Sequence, residues 1–281
     1  LNGHQIPTTL AASTEDVMII LNIDWQASSI FESESGAWKR ILMNLFGNAL
    51  KYTQAGFVQV SLKCDTSAAD PEFPSKKLVI LQIDDSGKGM SQDYLKYQLF
   101  TPFAQEDSMV EGIGLGLSIV RQLATDLGGK IDIQSEVGYG TTVKVSVSLE
   151  TTPQISDSAF LGSSTFISEV RRRSEGLTIC FVAFEYYPDI RENPTGILST
   201  HARRMLALKS SITKMAWEWF GMIVSASSSL TSAKGNILIG LHSNTELSEG
   251  HMQKEALIIF EDVMGGGRPQ DARGVFYLSQ P

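Results

Sequence analysis

The stretch WKRILMNLFGNALKYT, residues 38–53, decides how this chain folds. On a wheel of about 100° per residue, Trp38, Ile41, Leu42, Leu45 and Ala49 share one arc, so the segment predicts an amphipathic helix over 37–52. Asn44, Asn48 and Lys51, four and then three residues apart, fall on a narrow neighbouring arc. Carboxamide oxygens are good ligands for a hard cation, and an ammonium is a point-charge partner for phosphate. A plain solvated face would also carry such residues, so the helix by itself leaves both readings open.

Outward from this helix the pattern is β-rich. DVMIILNID (16–24) reads as a strand before it, and GFVQVSLKC (56–64) and KLVILQIDD (77–85) as two strands after it. The polar, Pro-containing DTSAADPEFPSK between those two is a loop by composition. A helix over 115–127 stops at Gly128-Gly129, and GKIDIQSE and TTVKVSVSL read as a hairpin across VGYG. Strands and helices do not alternate strictly, which predicts a mixed sheet covered by helices on one face. Residues 151–176, rich in Ser and Thr and containing RRRSEG, read as a linker between a first domain at 1–150 and a second at 177–281. In the second, short apolar runs at 177–184, 221–226, 235–241, 255–261 and 273–278 are spaced by helix-length segments. The clearest of those helices places Leu208, Ile212, Met215 and Trp219 on one face and stops at Gly221. That alternation predicts a parallel α/β domain. No internal repeat is visible.

The chain has 281 residues, enough for two cores of ordinary size. A net charge of −8 argues against a general electrostatic grip on nucleic acid or an anionic membrane, so any phosphate must be bound by local geometry. Two distant cysteines, Cys64 and Cys180, give no disulfide framework and point to a reducing, cytoplasmic setting. No apolar run approaches the roughly 20 residues of a membrane span. The sequence starts at Leu1 without a signal-peptide pattern, as expected of a piece of something larger.

Three further segments bear on chemistry. DDSGKGM (84–90) ends an apolar strand, where a carboxylate can accept from an exocyclic amine and Gly87 and Gly89 let backbone pass close to a planar ring. LFTPFAQED (99–107) sets Phe100 and Phe103 around Pro102. EGIGLGLSIVRQL (111–123) leads Gly112, Gly114 and Gly116 into a helix, whose N-terminal N–H groups favour an anion. Each alone is weak. No Gly-Lys-Ser/Thr follows the glycines, so this is not a Walker loop, and no strand runs directly into them as in a Rossmann turn.

In this order, the asparagine helix and the three segments resemble the N, G1, F and G2 boxes of the ATP-binding catalytic domain of sensor histidine kinases. That superfamily, GHKL, also contains gyrase B, MutL and the heat-shock ATPase chaperones. The resemblance covers roughly residues 15–150, with GGKIDIQSEVGYGTTVKVSV as the closing hairpin. It implies a two-layer α/β sandwich with a mixed sheet, the Bergerat ATP-binding fold, and ATP and Mg²⁺ as cofactors. By that resemblance Asn48 coordinates Mg²⁺ with Asn44 beside it, and Lys51 reaches the phosphates. Tyr52 lines the adenine, and Asp85 binds its amino group with help from Gly87, Gly89 and Thr142. Gly112, Gly114 and Gly116 form the lid end, with Leu117, Phe100 and Phe103 also among the nucleotide-binding positions.

The family's ATPases place a glutamate four residues before the metal-binding asparagine as general base. Here that position is Asn44, which cannot take a proton at neutral pH. Transfer of the γ-phosphoryl group to a histidine is therefore expected rather than hydrolysis; only Met90 leans the other way. GHQIPTTL (3–10) has a superficial likeness to the kinases' phosphoacceptor box, but lacks an acidic residue after His4 and lies too close to Asn44 for a helical hairpin to intervene. The accepting histidine is expected on a dimerisation domain of the same kinase outside this chain, with a receiver or phosphotransfer protein downstream and the fragment itself a monomer. His201, His242 and His251 show no ligand spacing.

The second domain resembles a receiver of a hybrid histidine kinase, with a flavodoxin-like order of strands. Its chemistry departs from that family: Ala183, Phe184 and Leu241 stand where acidic residues belong, Glu185 is alone nearby, and Gln280 replaces the lysine before Pro281. A degenerate receiver for contact or regulation is expected, and VMGGGRP (263–269) reads as a surface loop. Two other readings remain at this point: a nucleotide-sensing interaction module without catalysis, and an ATP-hydrolysing enzyme of the same superfamily.

Overall fold

The computed structural model describes residues 17–24, 31–65, 76–106, 112–151, 161–182, 198–228, 232, 234–241, 256–260 and 275–278. Helix α1 (Ser35–Tyr52) forms because Ala37, Ile41, Leu45 and Ala49 recur every fourth residue and give it one continuous apolar stripe. Lys51 in its last turn faces the negative end of the helix dipole. The stripe packs on a six-stranded sheet made of β1 (Val17–Ile23), β2 (Phe31–Glu32), β3 (Gly56–Asp65), β4 (Lys76–Asp85), β5 (Lys130–Glu136) and β6 (Gly140–Thr151). The order is β1-β3-β4-β6-β2, with β5 also paired to β6. Only β1 and β3 run parallel; the remaining pairs are antiparallel, so the sheet is mixed as expected.

Helix α3 (Gly116–Asp126) lies beside α1 and adds Val120 and Ala124 to the core that Val79, Leu81, Ile83, Val143, Val145 and Val147 build from the strands. Ile41, Val58, Val120 and Val145 have no exposed surface at all, which puts this core at the junction of the two helices with β3, β4 and β6. A short helix α2 (Gln92–Tyr97), capped by Ser91, stands between β4 and the glycine segment.

Residues 151–176 are more than a linker: a helix α4 runs Leu161–Ser174. Ser174 Oγ donates to Phe220 O at 2.7 Å, and Arg171 donates to Glu218 O, so α4 ends bonded to the end of the next helix. The Ser and Thr content that reads as loop is offset by Glu169 pairing with Arg172 and Arg173 within the helix.

The second sheet has five parallel strands, β7 (Thr178–Val182), β8 (Ile223–Ser227), β9 (Ile237–Leu241), β10 (Ala256–Phe260) and β11 (Val275–Leu278), in the order β8-β7-β9-β10-β11. Helix α5 (Thr200–Glu218) connects β7 to β8; the Ser199 side chain caps its N-terminus. Met205 and Ala216 of α5 bury against Ile179, Phe181 and Ile239, with Leu208 and Ile212 packed beside them. The expected face is corrected at two positions. Met215 is 46% exposed, and Trp219 turns to the first sheet, donating from Nε1 to Ile23 O at 2.8 Å.

That bond belongs to a joint between the two sheets. The Asp24 N–H points at Leu62 O on β3, so residues 21 and 23 of β1 turn their carbonyls to the strand's free edge. Ser211 Oγ donates to Leu21 O at 3.0 Å, Trp219 to Ile23 O, and Lys214 pairs with Asp24. Met18 of β1 packs into the second core. Helix α5 thus covers an edge that would otherwise offer a row of unpaired carbonyls. Among the described residues no helix is long and apolar enough to cross a membrane.

Candidate functional site

A cavity of about 470 Å³ opens between α1, the glycine segment before α3, and the ends of β4 and β6. The polar arc of α1 is one wall of it, carrying Asn44, Asn48, Lys51 and Tyr52. Asn44 Nδ2 donates to Arg40 O at 2.8 Å, so the amide nitrogen is used within the helix and the oxygen is its remaining function. A Cβ on Gly116 would lie 3.2 Å from that Oδ1 and 3.5 Å from Asn48 Nδ2; glycine lets the start of α3 close onto the asparagines. The capping residue of α3, Leu115, offers no side-chain acceptor to its first N–H groups, and Gly116 and Leu117 face the cavity. That is the arrangement in which a helix start receives an anion.

Gly112 sits over Lys51, with Gln105 Nε2 donating to its carbonyl at 2.6 Å. Gly114 packs against the backbone of Phe103 and Ala104, and its carbonyl accepts the Phe103 N–H at 3.0 Å. The side chain of Tyr52 has Lys51 Nζ 4.9 Å and Lys88 Nζ 4.8 Å from its ring centre, within cation–π range.

At the other end, Asp85 closes β4. Its Oδ1 accepts from Gly87 N at 2.9 Å and from Thr141 N at 3.2 Å, both on the same oxygen. Burial pushes its pKa up to about 6; the two N–H groups and the Arg203 guanidinium pull it down, and Asp84 pushes it up. Asp84 itself faces away: Gln82 and Thr142 Oγ1, the latter at 2.7 Å, donate to it on the opposite side of the sheet.

The structure gathers Asn44, Asn48, Lys51, Tyr52, Asp85, Gly89, Gly112, Gly114, Gly116 and Leu117 on one cavity wall. Gly87 lines a smaller adjoining pocket and reaches the site through its bond to Asp85. Besides Gly87, three expected positions lie off the wall. Thr142 bonds Asp84 and not Asp85, because alternation along β6 turns it to the other face. Phe100 packs under the Arg121 guanidinium at 4.8 Å, and Phe103, with φ 67°, is 70% exposed. Reading residues alone missed Thr141, Met90, Tyr94 and Leu99, all on the wall. Thr141 was recoverable from register, since it is the direct cross-strand partner of Asp85. Tyr94 and Leu99 carry no such signal; Tyr94 reaches the cavity from α2, where its hydroxyl donates to Ala104 O at 3.3 Å, and Leu99 from the turn just after that helix.

Among the described residues no group of three or more His, Cys, Asp or Glu side chains could hold a metal. The segments with His4, His242, His251, Glu185, 263–269 and Gln280-Pro281 lie outside the described residues, as does the His201 side chain.

Residues 34–151 match the model of the family described as histidine kinase-, DNA gyrase B-, and HSP90-like ATPase. Similar curated proteins include hybrid signal transduction histidine kinase A of Dictyostelium discoideum, 28% identical over 76% of this chain and 10% of that protein. The autoinducer 2 sensor kinase/phosphatase LuxQ of Vibrio vulnificus is 36% identical over 40% of this chain and 13% of that protein. The virulence sensor protein BvgS of Bordetella bronchiseptica is 39% identical over 40% and 9% respectively. The chain therefore spans about a tenth of the length of these relatives. Among solved structures, full-length ShkA in complex with AMPPNP is similar over 88% of this chain and 44% of that one, with a TM-score of 0.57 and 19% identity. At that identity the likeness is one of fold, and it covers more of the chain than residues 34–151.

Proposed function

We propose that residues 34–151, a domain of the histidine kinase-, DNA gyrase B- and HSP90-like ATPase family, bind ATP and act as the catalytic part of a hybrid histidine protein kinase in two-component phosphorelay signalling. The observation that carries this reading is one cavity joining an amide-and-ammonium helix face, an uncapped helix start and a half-buried carboxyl. Its volume is in the range of small-molecule sites. In the proposed arrangement, Asp85 accepts from the adenine amino group while Thr141 and Gly87 fix its rotamer. Tyr52 borders the base; Lys51 and the first N–H groups of α3 take the phosphates.

The donor set fits Mg²⁺ brought in by a nucleotide. It offers carboxamide oxygens from Asn48 and Asn44 and, among the described residues, few protein ligands and no carboxylate cluster, as is usual where phosphates supply most of the oxygens. When bound, the ion would neutralise phosphate charge. The protein's part in transfer is positioning: the terminal phosphorus–oxygen bond breaks, ADP leaves, and a phosphorus–nitrogen bond forms to an imidazole on a dimerisation domain. A receiver or phosphotransfer protein would take the group onward.

Hydrolysis is the weaker reading. Among the described residues the carboxylates on the cavity wall are Asp85 and Glu106, and Glu106 is held by the Ser91 N–H at 2.8 Å; none stands on the α1 face where the family's ATPases carry their base. The order β8-β7-β9-β10-β11, with β7 the first strand in sequence, is the flavodoxin-like order 2-1-3-4-5 and supports a receiver-type second domain. The test mixes the chain with ATP, Mg²⁺ and a separately made histidine-bearing hairpin. Labelled phosphohistidine on the hairpin, lost with Asn48→Asp, is expected; steady phosphate release without acceptor would favour hydrolysis instead.

A further inference from the structure

Beside the cavity, and not on its wall, Arg203 of α5 reaches across from the second domain. One guanidinium nitrogen donates to Tyr139 O at 2.6 Å, and the guanidinium carbon lies 3.8 Å from the centre of the Tyr139 ring. Tyr139 is in the β5–β6 turn, which is pinned on its other side by Gly138 N donating to Lys88 O at 2.8 Å. The next residue, Gly140, has φ 125° and passes so close to β4 that a Cβ would sit 1.9 Å from Asp85 O. The residue after that is Thr141, whose N–H bonds the Asp85 carboxylate. Three consecutive residues therefore connect the guanidinium to the carboxyl that the nucleotide reading assigns to the base. No described side chain of α5 lines the cavity, so α5 acts on the site through the turn, through its contacts with Gly56 and Phe57 at the start of β3, and through space.

We propose that Arg203 is a positioning residue of the nucleotide site: by clamping the Tyr139 turn, the second domain holds Thr141 and Asp85 in the geometry that receives the base, and so sets nucleotide affinity. The proposal rests on the assignment of the cavity to ATP. Helix α5 is suited to the task because its other end is fixed to β1 through Ser211, Lys214 and Trp219, so that displacement of the second domain moves Arg203 and its contacts together. The charge adds to the clamp. Among the described residues, Asp84 on the same strand and Arg203 on α5 are the charges that act on Asp85, in opposite senses. Lys51, Lys88 and Glu106 line the same cavity and are unchanged by a substitution at 203.

The test measures ATP dissociation constants of the full chain by calorimetry across pH 5–8, with thermal melting in parallel. Arg203→Met is expected to weaken binding about tenfold near neutral pH. It should also move the acid-side midpoint of the affinity profile upward, because Asp85 then holds its proton to higher pH. Arg203→Lys should restore most of the midpoint and less of the affinity. Trp219→Phe loosens the same helix at its far end; it should lower the melting temperature while leaving the midpoint in place. Unchanged affinity and midpoint in Arg203→Met would overturn the proposal, as would an equal midpoint displacement in Trp219→Phe. If the unaltered chain binds ATP and Asp85→Asn does not, the cavity assignment stands whatever the Arg203 variants do. An unaltered chain that binds no ATP removes both.

Discussion

Asp85 carries the pH dependence expected of the site. Its carboxyl is pushed up to about 6 by burial; with both N–H bonds on Oδ1, ionisation leaves Oδ2 a strong acceptor for a ligand amine, whereas protonation there turns it into a donor. Protonation therefore competes with the ligand: affinity should be flat above about pH 7 and fall up to about tenfold per unit well below pH 6. For stability the sign is opposite. The folded state holds the proton more tightly than the unfolded chain, so this group's contribution declines as pH rises from about 4 to 6 and is then constant. Calorimetric titrations at several pH values check the first statement, and Asp85→Asn should flatten the profile while weakening binding about a hundredfold. Much at this scale was legible. A carboxylate pair ending an apolar strand, followed by glycines, singles out Asp85, and the structure places it on the cavity wall. Thr142, expected beside Asp85, bonds Asp84 instead, because side chains alternate along a strand and the choice between neighbours depends on the cross-strand register.

Helix α1 shows how one element divides stability from chemistry. Ile41 and Leu45 are buried to 0% and 3% exposure, so Ile41→Ala should cost about 2–5 kcal/mol in urea unfolding. Asn44→Ala loses only a local bond to Arg40 and should change stability by less than about 1 kcal/mol, yet it should weaken Mg²⁺-nucleotide binding. A stability loss as large as that of Ile41→Ala would mean that Asn44 serves packing and not the ligand. The apolar period made α1 legible. Helix α5 was legible only in part, since it has two partners: Met205 and Ala216 face its own sheet, while Ser211, Lys214 and Trp219 face the other. A helical wheel finds one apolar face; it does not say that a polar stripe is an interface. The Asp24–Lys214 pair is only 18% and 26% exposed, and breaking it with Asp24→Ala should cost about 1–3 kcal/mol, between the limits for surface and buried pairs.

At the scale of the molecule, the two sheets meet along the free edge of β1, a joint that no local motif announces. The nucleotide domain could be recognised because its boxes are short and each lies within one element. The joint could not, because its partners are about 190 residues apart: 190 for Ser211 and Leu21, and 196 for Trp219 and Ile23. It also has a consequence for the first domain alone. A fragment ending at Thr151 keeps the whole first core but loses α5, which exposes the carbonyls of Leu21 and Ile23 and the Met18 side chain. Ile19 and Leu21 are already 57% and 62% exposed on that strand, so the bare edge would be both unpaired and apolar. Such an edge is a template for pairing with another copy. The fragment should therefore melt several degrees below the full chain, consistent with a loss of about 1–3 kcal/mol, and should self-associate as its concentration rises. Light scattering and melting over a range of concentrations test this. Placing Lys at position 19 or 21 should restore a monomer without restoring the melting temperature, because a charge blocks strand pairing but replaces none of the three bonds from α5. A monomeric fragment as stable as the full chain would mean that β1 stands without its cover, and that the second domain rests on the first without supporting it.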